Sequence, residues 1–159
     1  GQLLGAGKFK EARAADDKLL FTAVVAATGG AIAMGALSGV FPLFFGNVYD
    51  SVRALASKFI LISAIFMPVH AFLHCTYFTL RAGGRTMITF LYDCAFTWVI
   101  SIPIALFLAL GTELPIVPLY AIVVAADLIK VFIGLALLKK GIWINNLVGG
   151  AREEGAAEA

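Results

Sequence analysis

Two histidines lie one helical turn apart within an apolar stretch of the chain. His70 and His74 are four residues apart, so on a helix they face the same side. Histidine is the side chain that most readily changes its charge near neutral pH. The pair is therefore a candidate for proton coupling or for lining a substrate path, and the alternative is that neighbouring helices satisfy both side chains. A metal site needs more ligands than these two supply.

Three more ionisable residues interrupt apolar runs. Asp127 and Lys130 are three residues apart and share a helix face, where they either form a neutralising structural pair or line a cavity. Asp93 either reaches the membrane interface, or pairs with Arg81 or Arg85 across the preceding turn, or takes part in gating or ion coupling. Ionisable groups at membrane depth are costly, so each of them is a hypothesis of function.

The composition indicates a lipid environment. Of 159 residues, 61% are hydrophobic and only 14% are charged, whereas soluble domains carry about 25% charged residues. The net charge of +2 and the lack of a basic cluster argue against nucleic-acid binding. Cys75 and Cys94 lie in apolar runs and read as free thiols. No nucleophile, base and orienting group assemble recognisably, so an enzyme is not expected, and no cofactor is expected.

The positions of the apolar runs predict an all-α, polytopic membrane protein. A helix needs about 20 apolar residues to cross the hydrocarbon core, and the chain offers four such spans, at residues 19–45, 59–80, 87–110 and 119–138. Residues 1–18 are predicted as a loop with a short helical lead-in, residues 19–148 as the transmembrane part and residues 149–159 as a disordered tail. Pro68 is expected to kink the second span.

The distribution of basic residues predicts the orientation. Nine Lys and Arg residues lie in the two terminal segments and in the turn between spans two and three, and two lie in the other loops. Because short cytoplasmic loops are enriched in these residues, both ends of the chain are expected in the cytoplasm, with membrane lipids around the spans.

Four sequence stretches resemble one family in order and spacing, the multidrug and toxic compound extrusion (MATE) transporters. The resemblance is strongest in the loop after the second helix of a lobe, the Leu-Arg turn after the fourth, the helix that follows, and the end of the last helix. The corresponding segments here are GQLLGAGKFKEARAADD (1–17), YFTLRAGGRT (77–86), FLYDCAFTWVISIPIALFL (90–108) and DLIKVFIGLALLKKGIWINNL (127–147).

The resemblance implies a twelve-helix transporter built from two lobes around a central cavity, of which this chain would supply helices nine to twelve. The missing partners would be the N-terminal lobe and the first two helices of the C-terminal lobe. The implied function is export of amphipathic cationic drugs across the cell membrane, driven by Na⁺ or H⁺ through alternating access. A lipid-linked oligosaccharide flippase of the same superfamily is the alternative, as is a half-lobe that is inactive when expressed alone.

A self-contained four-helix exporter is disfavoured, because such proteins depend on a buried glutamate in their first span and residues 19–45 contain no acid.

The resemblance also implies site residues. Where members of the family hold a cation site in the second lobe, an aspartate stands eleven residues before the arginine of the Leu-Arg turn, and here that position is His70. A carboxylate site of that kind is therefore not expected. Aromatic and sulfur side chains suit flat cations. The cavity-lining candidates are Met67, Phe72, Tyr77 and Trp98, each of which is alternatively packed core or lipid-facing. Arg81 and Arg85 are candidate anchors at the membrane interface, and Arg81 alternatively latches a gate.

Overall fold

The computed structural model describes residues 1–46 and 48–145, and within these ranges all regular structure is helical. The predicted tail at 149–159 lies outside the described residues. A short helix precedes four long ones, each long and apolar enough to cross a membrane. These helices are α1 (Gln2–Gly5), α2 (Phe9–Ala36), α3 (Asp50–Ala82), α4 (Thr86–Gly111) and α5 (Ile116–Lys139). The predicted all-α membrane fold is confirmed.

The ends of the first two long helices differ from the sequence prediction. Helix α2 begins ten residues before the predicted start of the span, so the predicted helical lead-in before residue 19 belongs to the same helix and reaches back to Phe9. It ends at Ala36, nine residues early. The apolar stretch that follows contains Gly39 and Pro42 and forms a 3₁₀ turn, Phe41–Phe44. Helix α3 begins at Asp50 rather than 59 and continues through Pro68. An apolar run indicates which residues lie in the hydrocarbon core. The helix itself can begin or end at other residues, so its ends differ from those of the apolar run.

Helix α3 is the centre of the bundle. It contacts α2, α4 and α5, and α4 also contacts α5. Its buried side chains, which include Phe72, Leu73 and Thr76, meet these neighbours. Much of the remaining apolar surface is exposed, for example Phe21 at 70% and Phe107 at 71%. Such a surface is expected of helices that face lipid or further helices.

Gly134 permits the close approach of α5 to α3 and α4. A Cβ atom at this position would lie 2.8 Å from the hydroxyl of Tyr92 and 3.1 Å from Cγ2 of Thr76. Small residues at helix crossings allow backbones to approach in membrane proteins. The contact sets the spacing of the three helices that surround the cavity described below.

The turn between α3 and α4 packs against the segment after α5. A Cβ atom at Gly83 would collide with the backbone carbonyl of Trp143, and Gly84 adopts a φ of +75°. The Nε–H of Arg85 donates a hydrogen bond of 3.1 Å to the carbonyl of Ile142. Glycine is therefore required at position 84 by the positive φ and at position 83 by the backbone that lies against it.

Candidate functional site

A cavity of about 390 Å³ lies between α3, α4 and α5 and brings together all five ionisable candidates. Its lining contains no residue of α2. The lining residues are His70, Leu73, His74, Tyr77 and Phe78 of α3, Tyr92 and Asp93 of α4, and Asp127 and Lys130 of α5. Residues that are up to 60 positions apart in sequence thus share one space.

Lys130 connects the two carboxylates of the cavity. Its residue is only 7% exposed. The Nζ atom lies 3.4 Å from Oδ1 of Asp93 and 3.5 Å from Oδ1 of Asp127. The same Nζ lies 4.9 Å from the centre of the Phe96 ring, a favourable position for a cation over an aromatic face. The predicted pairing of Asp127 with Lys130 is therefore present.

Asp93 pairs with Lys130 and not with Arg81 or Arg85. The prediction of an arginine partner was wrong. Asp93 and the two arginines are close in sequence, but the partner of Asp93 depends on the face of α4 on which it lies, and closeness in sequence does not indicate that face. This residue lies in a π-helical turn, Leu91–Ala95, where α4 approaches α5. Single π turns within α-helices occur frequently at functional sites.

Of the two histidines, His70 approaches a carboxylate. Its Nε2 atom lies 3.6 Å from Oδ2 of Asp127, the oxygen that Lys130 does not contact. At this distance the contact is electrostatic and would strengthen when the imidazole is protonated. His74 lines the same cavity and is exposed. The two positions one turn apart therefore have different surroundings.

Tyr92 and Phe96 contact Lys130 of the charged cluster, and the sequence reasoning did not name them as candidates. The buried hydroxyl of Tyr92 donates a hydrogen bond of 3.2 Å to the backbone carbonyl of Lys130, which joins α4 to α5 beside the charged cluster. Phe96 lies four residues later, under the Lys130 ammonium group. The available signal was the spacing of four between the two aromatic residues, with Tyr92 adjacent to Asp93, but aromatic residues are common in apolar helices.

Among the four cavity-lining candidates, Tyr77 lines this cavity. The other three are not among its lining residues. Met67 packs towards Gly30 of α2, with its Cε 3.1 Å from the position that a Cβ would take there. Phe72 belongs to a buried cluster with Leu73 and Tyr92. Trp98 is 72% exposed.

The two arginines of the α3–α4 turn lie away from the charged cluster. Both are exposed, and Arg85 binds the backbone after α5 as described above. Arg81 lines a separate cavity of about 250 Å³ with aromatic and hydroxyl side chains. Their role as anchors at the membrane interface stays a prediction.

Within residues 1–46 and 48–145, no group of three or more His, Cys, Asp or Glu residues could hold a metal ion. The cavity instead groups two carboxylates with an ammonium group and two imidazoles.

Four helices long and apolar enough to cross a membrane, three of which line a charged cavity, define a polytopic membrane protein. The family model MatE matches residues 1–107, about two thirds of the chain. The chain belongs to the MatE family of membrane transporters. The matched region includes both histidines and Asp93, while Asp127 and Lys130 lie beyond it. Neither the curated proteins nor the solved structures contain a match to this chain.

Proposed function

We propose that this chain is part of a cation-coupled antiporter that exports amphipathic cations by alternating access. The observation that carries the proposal is the cluster of Asp93, Lys130, Asp127 and His70 around one cavity inside the membrane-crossing bundle. The remaining helices of the transporter would complete the cavity. We further propose that the protein lies in the cell membrane with both ends of this chain in the cytoplasm.

The cluster lies well inside the spans. Its residues are seven to twelve positions from Ala82, Thr86 and Lys139, the helix ends at one side of the bundle. At 1.5 Å per residue this corresponds to roughly 10 to 18 Å along the helices, in a hydrocarbon core of about 30 Å. Ionisable residues at such depth are expensive and usually mark ion or substrate pathways.

The charge of the cluster favours binding one cation at a time. Two carboxylates and one ammonium group leave a net charge of −1 when both histidines are neutral. One proton, or one monovalent organic cation, would balance this charge, and both together would exceed it. Competition for one negative charge couples the exit of an organic cation to the entry of a proton, which is the requirement for exchange.

The cavity also has features that suit a flat organic cation. Its volume of about 390 Å³ lies within the usual range of small-molecule sites. Tyr77, Phe78 and Tyr92 present aromatic surface next to the carboxylates. Aromatic faces attract cations, and the carboxylates supply the opposite charge.

The proposal is tested by ethidium efflux from cells that express the complete protein, with the Na⁺ and pH gradients varied independently. Asp127→Asn removes a carboxylate that both Lys130 and His70 approach, and we expect efflux to fall at least about tenfold. Glu113→Gln is the matched control, because it removes an exposed carboxylate of the α4–α5 connection outside the cavity. We expect efflux by this control to be unchanged.

Three outcomes would contradict parts of the proposal. Equal efflux by Asp127→Asn and Glu113→Gln would exclude the cavity as the coupling site. Intact pH-dependent efflux in both His70→Ala and His74→Ala would exclude the histidines from proton coupling. Absence of cation efflux together with translocation of a lipid-linked oligosaccharide would assign the protein to the flippases instead.

A further inference from the structure

Two carboxylate oxygens from different helices converge on one buried nitrogen. Oδ1 of Asp93 on α4 and Oδ1 of Asp127 on α5 lie 3.4 and 3.5 Å from Nζ of Lys130. The side chain of Lys130 is only 9% exposed. Hard metal cations are bound by oxygen ligands, and carboxylates are prominent among these ligands. The ammonium group of Lys130 therefore neutralises part of the negative charge that would otherwise attract a small metal cation to the two carboxylates.

We propose that Lys130 is a tethered cation that fills a latent Na⁺ site between Asp93 and Asp127, so that this cluster excludes Na⁺ and exchanges protons instead. The inference deepens the proposed function and rests on it for the direction of transport. It makes a separate claim about ion binding, which can be measured without transport. A neutral side chain at position 130 should open the site to Na⁺.

Charge and space both support the exclusion of Na⁺. A Na⁺ ion placed beside the carboxylates would lie close to the Lys130 ammonium group, whose side chain is only 9% exposed, and like charges at short distance repel. Asp93 and Asp127 start from two different helices, and both carboxylates reach the same Nζ atom of Lys130. The Phe96 ring further favours an organic or ammonium cation at this place.

A proton can still be accommodated, because it binds on another side of the cluster. His70 faces the second oxygen of Asp127, Oδ2, at 3.6 Å. The other titratable groups that line the cavity are His74 and Tyr77 of α3 and Tyr92 of α4. Protonation of His70 would add the one positive charge that the cluster lacks, without displacing Lys130.

The experiment measures Na⁺ binding to the complete purified protein through its thermal unfolding. The midpoint is compared at pH 8 in NaCl and in choline chloride of equal concentration. We expect no difference for the wild type. Lys130→Met keeps most of the apolar stem but removes the charge, and its midpoint should rise by roughly 3 °C or more in NaCl, as expected for a ligand that binds only the folded state.

Two controls isolate the site. Lys139→Met removes an exposed lysine at the end of the same helix and should show no response to Na⁺. In the double variant Lys130→Met, Asp127→Asn one of the two carboxylates is neutral, and the response to Na⁺ should be lost. Lys130→Arg retains a tethered positive charge and should behave as the wild type does.

If Lys130→Met does not fold, the unfolding midpoint of the wild type in NaCl and in choline chloride can still contradict the inference. A Na⁺-dependent rise in the wild-type midpoint that disappears in Asp127→Asn would show that Lys130 does not exclude Na⁺. A folded Lys130→Met without any Na⁺ response would show that the carboxylates form no latent site. Failure of ethidium efflux, by contrast, would contradict the proposed function and leave this binding result standing.

Discussion

The substitution Gly134→Ala tests whether the packing of α5 holds the charged cluster in place. The new Cβ would lie 2.8 Å from the hydroxyl of Tyr92, and real Cβ atoms essentially never approach a heavy atom that closely. Tyr92 is only 6% exposed, so its ring cannot swing freely away. The hydroxyl must therefore shift, and its hydrogen bond to the carbonyl of Lys130 is weakened.

The expected magnitude follows from opposing contributions. Overpacking a well-filled core costs about 1–3 kcal/mol, and the hydrogen bond contributes about 1 kcal/mol. Replacing a helical glycine by alanine returns up to about 1 kcal/mol. We expect the free energy of unfolding to fall by about 1–3 kcal/mol.

The assay is reversible unfolding of the complete protein in mixed micelles, with SDS as the denaturant and tryptophan fluorescence as the signal. Gly29→Ala is the matched control, because a Cβ there would meet nothing within 4 Å and α2 is helical at that position. This control should be as stable as the wild type or slightly more stable. Ethidium efflux by Gly134→Ala should also fall, because Lys130 moves with its backbone.

A double variant identifies the atom responsible. Tyr92→Phe removes the hydroxyl that the new Cβ would meet, so Gly134→Ala should be less destabilising when combined with Tyr92→Phe, by about 1 kcal/mol or more. Some cost should remain, because Cγ2 of Thr76 lies 3.1 Å from the same position. Strictly additive effects of the two substitutions would refute the proposed contact.

Two further predictions concern positions outside the cavity. Gly83→Ala places a Cβ against the backbone carbonyl of Trp143, which cannot move away as a side chain could. We therefore expect the free energy of unfolding to fall by about 2 kcal/mol or more in the same assay. Stability equal to that of Gly29→Ala would contradict the packing of the α3–α4 turn against the chain after α5. Trp98→Ala removes a side chain that is 72% exposed, and we expect ethidium efflux to be unchanged and stability to change by less than about 0.5 kcal/mol. A large loss of efflux would place Trp98 in the substrate path after all.

The number and approximate place of the membrane-crossing helices could be predicted because each depends on local composition. About 20 apolar residues in a row must be helical in lipid, since only internal hydrogen bonds satisfy their backbone. The helix ends were less predictable, as the early start of α2 at Phe9 and of α3 at Asp50 shows. Charged residues can extend a helix beyond the hydrocarbon, and composition alone does not tell such an extension from a loop.

Within the site, sequence separation decided what could be predicted. Asp127 and Lys130 lie on one helix, so their spacing alone indicated that they pair. The partner of Asp93 lies 37 residues away on another helix, and the nearby arginines of the turn were the wrong choice. In the same way Phe72 and Met67 are apolar helical residues like their neighbours, and only the packing of α2, α4 and α5 around α3 showed that neither lines the cavity.

The sequence by itself determined that the chain is a helical membrane protein with five ionisable residues inside its spans, because hydropathy and helical periodicity are properties of neighbouring residues. The tertiary structure alone decided that these five residues share one cavity, that Lys130 lies between carboxylates from two helices, and that Asp127 offers its second oxygen to His70. Those relations depend on the rotation and spacing of α3, α4 and α5, which are fixed by contacts such as that of Gly134 with Tyr92 between residues distant in sequence.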